Sequence, residues 1–393
     1  MSILSEKTRL FIEGHRGLLA KVEKACKGVN DIVWVHASSY GEFEEARPVL
    51  QEIRKSYPEM HILATFFSPT GYEHLKDDPI ADFVFYLPLD TPRNARRFLD
   101  IVRPVKVIVS VSDYWLNFLN ELRRRNIDTY LISANFHPSM SYFGFFGAPY
   151  RRAFKTCFKR IIVRDEDSLR QIATIGATNT ILAGDPRMDR VMAIAATEWS
   201  DPVIDRWTGG KKVFVCGSDL PDMDDEVMIA LANAHPADKF MIIPHEQGQA
   251  QIDHLRNSIS GSTVLYTEAV AGAPYEESQV MIVNTVGMLS KLYRYGFAAY
   301  VGSGFADSPH SVIEPASYGI PVAYGPNFGS HYHCKYLIDC GAGHSIHNAD
   351  ELCSWYDALK ADPEALSAAG KAARDYCVRG SGVAHRIMEE IMR

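Results

Sequence analysis

The sequence predicts an α/β protein made of two doubly wound parallel-sheet domains. Three observations carry this. The chain has 393 residues, about two domains' worth at ordinary domain size. Short β-branched runs alternate with helix-like stretches along its length, as in parallel sheets covered on both faces. The alternation pauses once, at a polar, Gly-containing stretch over 200–212, and then restarts.

The first cycle places strands at Asp31–His36, His61–Phe66, Phe83–Tyr86, Val105–Val109, Thr129–Ile132, Arg160–Val163 and Thr180–Ala183. Glu42–Tyr57 and Pro92–Val102 read as helices between them, and each strand-to-helix turn carries Ser, Gly, Asp or Pro. The second cycle places strands at Val213–Cys216, Phe240–Ile243, Val264–Tyr266, Val280–Val283, Ala298–Val301, Pro321–Tyr324 and Gly343–Ile346. The tail reads as helix over Asp362–Val378 and again over Gly382–Arg393. The expected domains are 1–195 and 196–393, with C-terminal helices able to pack back on the first. Two Rossmann-like domains facing across a cleft define the architecture called GT-B. The same outline also suits some epimerases and two-domain binding proteins, so it does not fix an activity.

Composition narrows the class. Apolar residues make up 47% and charged residues 23%, which excludes disordered, collagen-like and long coiled-coil chains. With 41 basic and 48 acidic residues the net charge is −7, which argues against a nucleic-acid binder with a global basic footprint. Seven cysteines without CxxC or zinc spacing predict reduced thiols in a reducing compartment. No apolar run reaches the ~18–20 residues of a spanning helix, and no signal-peptide segment opens the sequence. The expectation is a cytoplasmic chain that can still touch a membrane surface.

Ligands of open α/β sheets bind at the carboxyl ends of strands. At the first such end lies His36-Ala-Ser-Ser39-Tyr40-Gly41-Glu42. Gly41 lets the backbone turn or approach a ligand. Glu42 falls in a first helical turn, either as a general base for a hydroxyl or as a plain helix-start acid. Asp113 follows the fourth strand on the same edge, as a second acid or a helix cap. His245 follows the strand Phe240–Ile243 and can donate to a phosphate or carboxylate. Gly302-Ser-Gly304, His310 and Ser311 form a Gly/Ser loop ahead of a helix starting near Ser311, an anion cradle built from backbone amides. Glu314 sits in that helix. The glycines fit neither the dinucleotide nor the P-loop pattern. Thr285 is placed to cap a helix, Gly287 permits close ligand approach, and Arg187 is available to an anion. Arg151, Arg152 and Lys155 share one side of a helix beside an aromatic run from Tyr142, suiting a lipid headgroup or membrane interface. No residue cluster has metal-ligand spacing.

These segments resemble the 3-deoxy-D-manno-octulosonic acid (Kdo) transferase family, inverting GT-B enzymes, from about Phe11 to Ile346. The likeness rests on Phe11-Ile-Glu-Gly-His-Arg16, Trp34-Val-His-Ala-Ser-Ser-Tyr-Gly-Glu42, Thr65-Phe-Phe-Ser-Pro-Thr-Gly-Tyr72 and Tyr86-Leu-Pro-Leu-Asp90. Ala183-Gly-Asp-Pro-Arg-Met-Asp-Arg190, Pro244-His245, Glu314-Pro-Ala and Gly325-Pro-Asn327 extend it. The wording is closest to the Bacteroides-like branch. The resemblance implies transfer of Kdo from CMP-Kdo to the lipid A precursor in lipopolysaccharide synthesis, at the cytoplasmic face of the inner membrane. It implies Glu42 as base and Asp113 as a second important acid. Arg187, His245, Gly287 and Glu314 fall in its donor-site motifs, with CMP-Kdo as substrate and neither cofactor nor metal. The sequence departs from the family at Val111 and Asp113, where two glutamates are usual. It departs also at His137, Ser311 and His333, which replace an arginine, an asparagine and an acid. Alternatives are a paralogue using another nucleotide sugar, and a non-catalytic lipid- or nucleotide-binding homologue.

Overall fold

The computed structural model describes residues 6–393 except 222 and 330. It divides into two compact units, Met1–Asp189 with Gly382–Arg393, and Arg190–Ser381. The sequence-based boundary at 195/196 therefore falls inside a helix, Arg187–Ala196, that begins in the first unit.

Unit 1 holds seven parallel strands: β1 (Ile32–Ala37), β2 (His61–Phe66), β3 (Phe83–Tyr86), β4 (Lys106–Ser110), β5 (Asp128–Ala134), β6 (Arg160–Val163) and β7 (Thr180–Leu182). Their order is β3-β2-β1-β4-β5-β6-β7. Every residue of β1 is buried, as a central strand with helices on both faces requires. The direction of winding reverses between β1 and β4, and a crevice for ligands belongs at their carboxyl ends.

Unit 2 repeats the plan with β8 (Val213–Asp219), β9 (Phe240–Pro244), β10 (Thr263–Leu265), β11 (Val280–Ile282), β12 (Gly296–Val301), β13 (Val322–Tyr324) and β14 (Gly343–Ser345). Its order is β10-β11-β9-β8-β12-β13-β14, with the reversal between β8 and β12. Phe214, Tyr300 and Tyr356 are among its largest fully buried side chains. The stretch expected to link the cycles carries a helix of its own, Pro202–Thr208, capped by Asp201 and anchored by buried Trp207.

The last helix, Val383–Met392, packs into unit 1. Its Val383, Ile387 and Ile391 join the core containing Phe43 and Val49. Pro363–Arg379 belongs to unit 2. No described helix is long and apolar enough to cross a membrane.

Candidate active site

In unit 1, β1 runs into the helix Tyr40–Ser56 through a reciprocal cap. The Glu42 amide donates to Ser39 Oγ (3.4 Å), and Glu42 Oε2 accepts from the amides of Ser38 (2.6 Å) and Ser39 (3.2 Å). Oε1 accepts from Ser112 Oγ at 2.6 Å, and Ser110 Oγ donates to the Glu42 carbonyl. Glu42 is therefore part of the helix cap and a carboxylate at the sheet's carboxyl edge at once, half-buried rather than exposed. Gly41 is helical, so it makes no turn, but open space surrounds the position of a Cβ there. Tyr40 stands half-buried beside the ring of His74.

Asp113 is not the helix cap it resembled in sequence. The helix Leu116–Arg124 is capped from another loop, where the Asp90 carboxylate accepts from the amides of Asn117 and Phe118. Asp113 instead faces His36, with Oδ2 3.4 Å from Nε2. Burial would raise its carboxyl. The His36 ring and the Ser38 and Trp115 side chains outweigh burial and hold it below the ordinary aspartate range. Val111 and Asp113 both adopt positive φ, 61° and 77°, so the loop following β4 is strained.

Arg187 turns inward. Its guanidinium grips buried Asp185 (2.6 Å) and lies 3.8 Å from Glu45 Oε1, which is equally far from Arg164. Burial pushes the Glu45 carboxyl up against the pull of the two arginines. Arg152 and Lys155 are exposed on the helix Ala148–Thr156, whereas Arg151 folds back to donate to the Tyr142 and Gly144 carbonyls. Beside them Phe145 and Phe146 are 91% and 90% exposed.

In unit 2 the loop after β12 lies against the end of β8. A Cβ on Gly302 would meet the Ser218 carbonyl at 2.3 Å, and one on Gly304 would meet the Gly325 amide at 2.7 Å. Both glycines serve close backbone packing. Beneath the loop Asp224 accepts from the amides of Ser303 (2.7 Å) and Leu220 and from the Tyr300 hydroxyl. Burial, and next the facing Asp225, push the fully buried Asp219 carboxyl well above its usual range. Above it, the rings of His245 and His310 stack at 4.3 Å, and burial, with His245 adding to it, keeps His310 low.

Two expectations need correction. The helix after this loop is only Ile313–Ser317, so it starts later than expected and Ser311 lies before it. Glu314 occupies its second position. Thr285 caps nothing: its hydroxyl reaches Met288 Sδ, and the helix Leu289–Leu292 starts later. Gly287 has φ 86°, a conformation that selects glycine. Sequence reasoning has His36 and Ser38 in the first segment and Ser112 in the second but gives them no role, and it passes over the buried Asp219, Asp224 and Asp225. The histidine interrupting the apolar run of β1 was the one available signal.

Two reversal points, each with polar side chains at the carboxyl edge of a parallel sheet, define a GT-B protein. Solved structures agree on the fold. A putative UDP-N-acetylglucosamine 2-epimerase from Listeria monocytogenes superposes with a TM-score of 0.65 at 12% identity, covering 91% of this chain and 95% of that one. Acinetobacter baumannii MurG gives 0.59 at 14%, covering 92% and 99%. A family profile described as 3-deoxy-D-manno-octulosonic-acid transferase (kdotransferase) matches residues 12–190. The curated 3-deoxy-D-manno-octulosonic acid transferases of Aquifex aeolicus and Bordetella pertussis are 25% and 27% identical. They cover 84% and 91% of this chain, and 85% and 86% of their own lengths are matched. Over most of its length the chain is thus similar to Kdo transferases, and the family profile falls on unit 1.

Proposed function

We propose that this protein transfers Kdo from CMP-Kdo to the 6-hydroxyl of a lipid A precursor, with inversion at the anomeric carbon. Glu42 is the base. It takes the proton of the acceptor hydroxyl as that oxygen attacks, and CMP departs with the electrons of the broken glycosidic bond. The observation carrying this reading is the Glu42 carboxylate at the reversal of the unit 1 sheet, with Oε1 aimed by a single hydroxyl donor, Ser112. Asp113 is the second acid of that edge. In unit 2, His245, His310, Gly287, Ser311 and Glu314 bind the donor. Histidine and backbone donors stabilise the departing phosphate, and no metal step is invoked. Arg187 supports the unit 1 edge through Asp185 and Glu45.

Acceptor contact belongs to the helix Ala148–Thr156. Phe145 and Phe146 enter the interface while Arg152 and Lys155 meet anionic headgroups, giving a peripheral enzyme on the cytoplasmic face of the inner membrane. A second reading, a homologue that binds without transferring, is favoured by one observation: Glu42 already accepts three hydrogen bonds, two of them as a cap.

The deciding experiment is mass-detected transfer using CMP-Kdo generated in place and tetra-acylated precursor. Glu42→Gln keeps the cap, because a carboxamide still accepts from Ser38 and Ser39, but it cannot take a proton. Its turnover should fall about 10²–10⁴-fold. Turnover near wild type would sink the base assignment, and binding without product in wild type would favour the second reading. Arg152→Glu with Lys155→Glu should weaken binding to anionic vesicles by about 1 kcal/mol or more per charge at low salt. Unchanged flotation would remove the membrane surface.

A further inference from the structure

The edge beside Glu42 holds a buried polar group that the reaction as proposed leaves without a role. His36 is 2% exposed, yet both ring nitrogens are engaged. Nδ1 lies 3.1 Å from the Thr65 carbonyl and 3.0 Å from Thr65 Oγ1, which also accepts from Trp34 Nε1 at 2.8 Å. Nε2 lies 3.0 Å from Trp115 Nε1 and 3.4 Å from Asp113 Oδ2.

The two contacts of Nε2 demand opposite protonation. An indole N–H only donates and needs a lone pair on Nε2, while a carboxylate only accepts and needs a proton there. The indole contact is the shorter, and 3.4 Å is long for a nitrogen–oxygen bond. Asp113 keeps a donor besides His36, since the Ser38 side chain also bonds to its carboxylate. A neutral ring with its proton on Nδ1, donating to the Thr65 carbonyl, satisfies the set.

Trp115 closes the strained segment after β4, in which Val111 and Asp113 are left-handed. A β-branched residue holds that conformation only when its surroundings over-determine it. Ser112 lies between the two and aims Glu42 Oε1. The bond from Trp115 to His36 is where this segment is pinned to β1.

We propose that His36 is a positioning residue for Glu42: its Nε2 accepts from Trp115, and this pins the loop that carries Ser112. The proposal rests on Glu42 being the base. It assigns a required tautomer, proton on Nδ1 and lone pair on Nε2.

Three variants separate this from a general role in the core. His36→Gln can set an amide oxygen where Nε2 now accepts. His36→Asn keeps a donor toward Thr65 but is too short to reach Trp115, and Trp115→Phe removes the donor. His36→Asn and Trp115→Phe should each lower kcat about tenfold or more, since small misplacements at a reacting group carry such costs. KM should stay within about twofold, and the double variant should lose no more than either single one. His36→Gln should regain most of the turnover. If His36→Asn fails to fold, Trp115→Phe with His36→Gln gives the same comparison.

Two readouts need no turnover. The ¹⁵N spectrum of the wild type should show an Nδ1-protonated ring. A crystal structure of Trp115→Phe should show the Ser112–Glu42 bond opened. An Nε2-protonated ring, or a Ser112–Glu42 bond intact in that variant, overturns the proposal. A wild type that transfers nothing would instead sink the base assignment, and these two readouts would still decide the positioning.

Discussion

The two sheets present the same topological feature and use acids there in opposite ways. At the β1/β4 reversal, Glu42 and Asp113 sit half-buried among donors from Ser38, Ser112 and Trp115, and the donors around Asp113 keep its carboxyl low. At the β8/β12 reversal, Asp219, Asp224 and Asp225 are drawn inside, where burial pushes Asp219 and Asp224 up. The first set stays at the open edge of the sheet. The second braces a glycine loop from below and leaves histidines at the surface. Topology fixes where a site lies, and the depth of each acid fixes what it does.

The sharpest way to break this contrast is through the glycines. Gly302→Ala puts a methyl 2.3 Å from the Ser218 carbonyl, which is backbone and cannot swing aside. Unit 2 should lose about 2–3 kcal/mol, read as a lowered unfolding midpoint. An unchanged midpoint would mean that the loop is not packed as described.

Asp219 gives the next effect, through pH. Its folded pKa is raised, so its contribution is complete below the unfolded value of about 3.9 and declines as pH rises toward the folded pKa. Asp219→Asn escapes that decline. Its stability relative to wild type should therefore climb from pH 5 to pH 9 in denaturant titrations, by about 1.4 kcal/mol for each unit over which ionisation is forced. A difference flat with pH would show that Asp219 is not the neutral brace.

The smallest effect has the reverse sign. Gly41→Ala meets nothing within contact distance and improves a helical position, so unit 1 should gain about 0.5–1 kcal/mol. A stabilised variant with a raised acceptor KM would show that the open space is used by ligand.

The strands were legible because each is a short apolar run buried on both faces. All fourteen fall where the runs predict, and the errors are at the ends. β5 continues to Ala134 and β8 to Asp219, since buried Ser133, Ser218 and Asp219 read as loop when polarity alone is weighed. The four- and five-residue helices after β11 and β12 carry too little periodicity to be placed, so Thr285 received a capping role it does not have and the second helix was started too early, near Ser311. Glu42 and Asp113 were legible from their positions after strands. His36 was not, because Thr65, Asp113 and Trp115 meet it only when three strand ends are brought side by side. Nor was the inward turn of Arg187, whose partner Glu45 lies far away in the chain.

The path of the chain between the units has an evolutionary consequence. The Asp189 carboxylate, at the last residue of the first segment of unit 1, accepts from the amides of Gly382 and Ala384, where the chain returns. Departure and re-entry are thus fastened together by one side chain, and unit 2 is spliced into unit 1 with its ends adjacent. Such a segment is a cassette. A recombination event could exchange it for another doubly wound module, provided an acid at 189 still catches the returning helix.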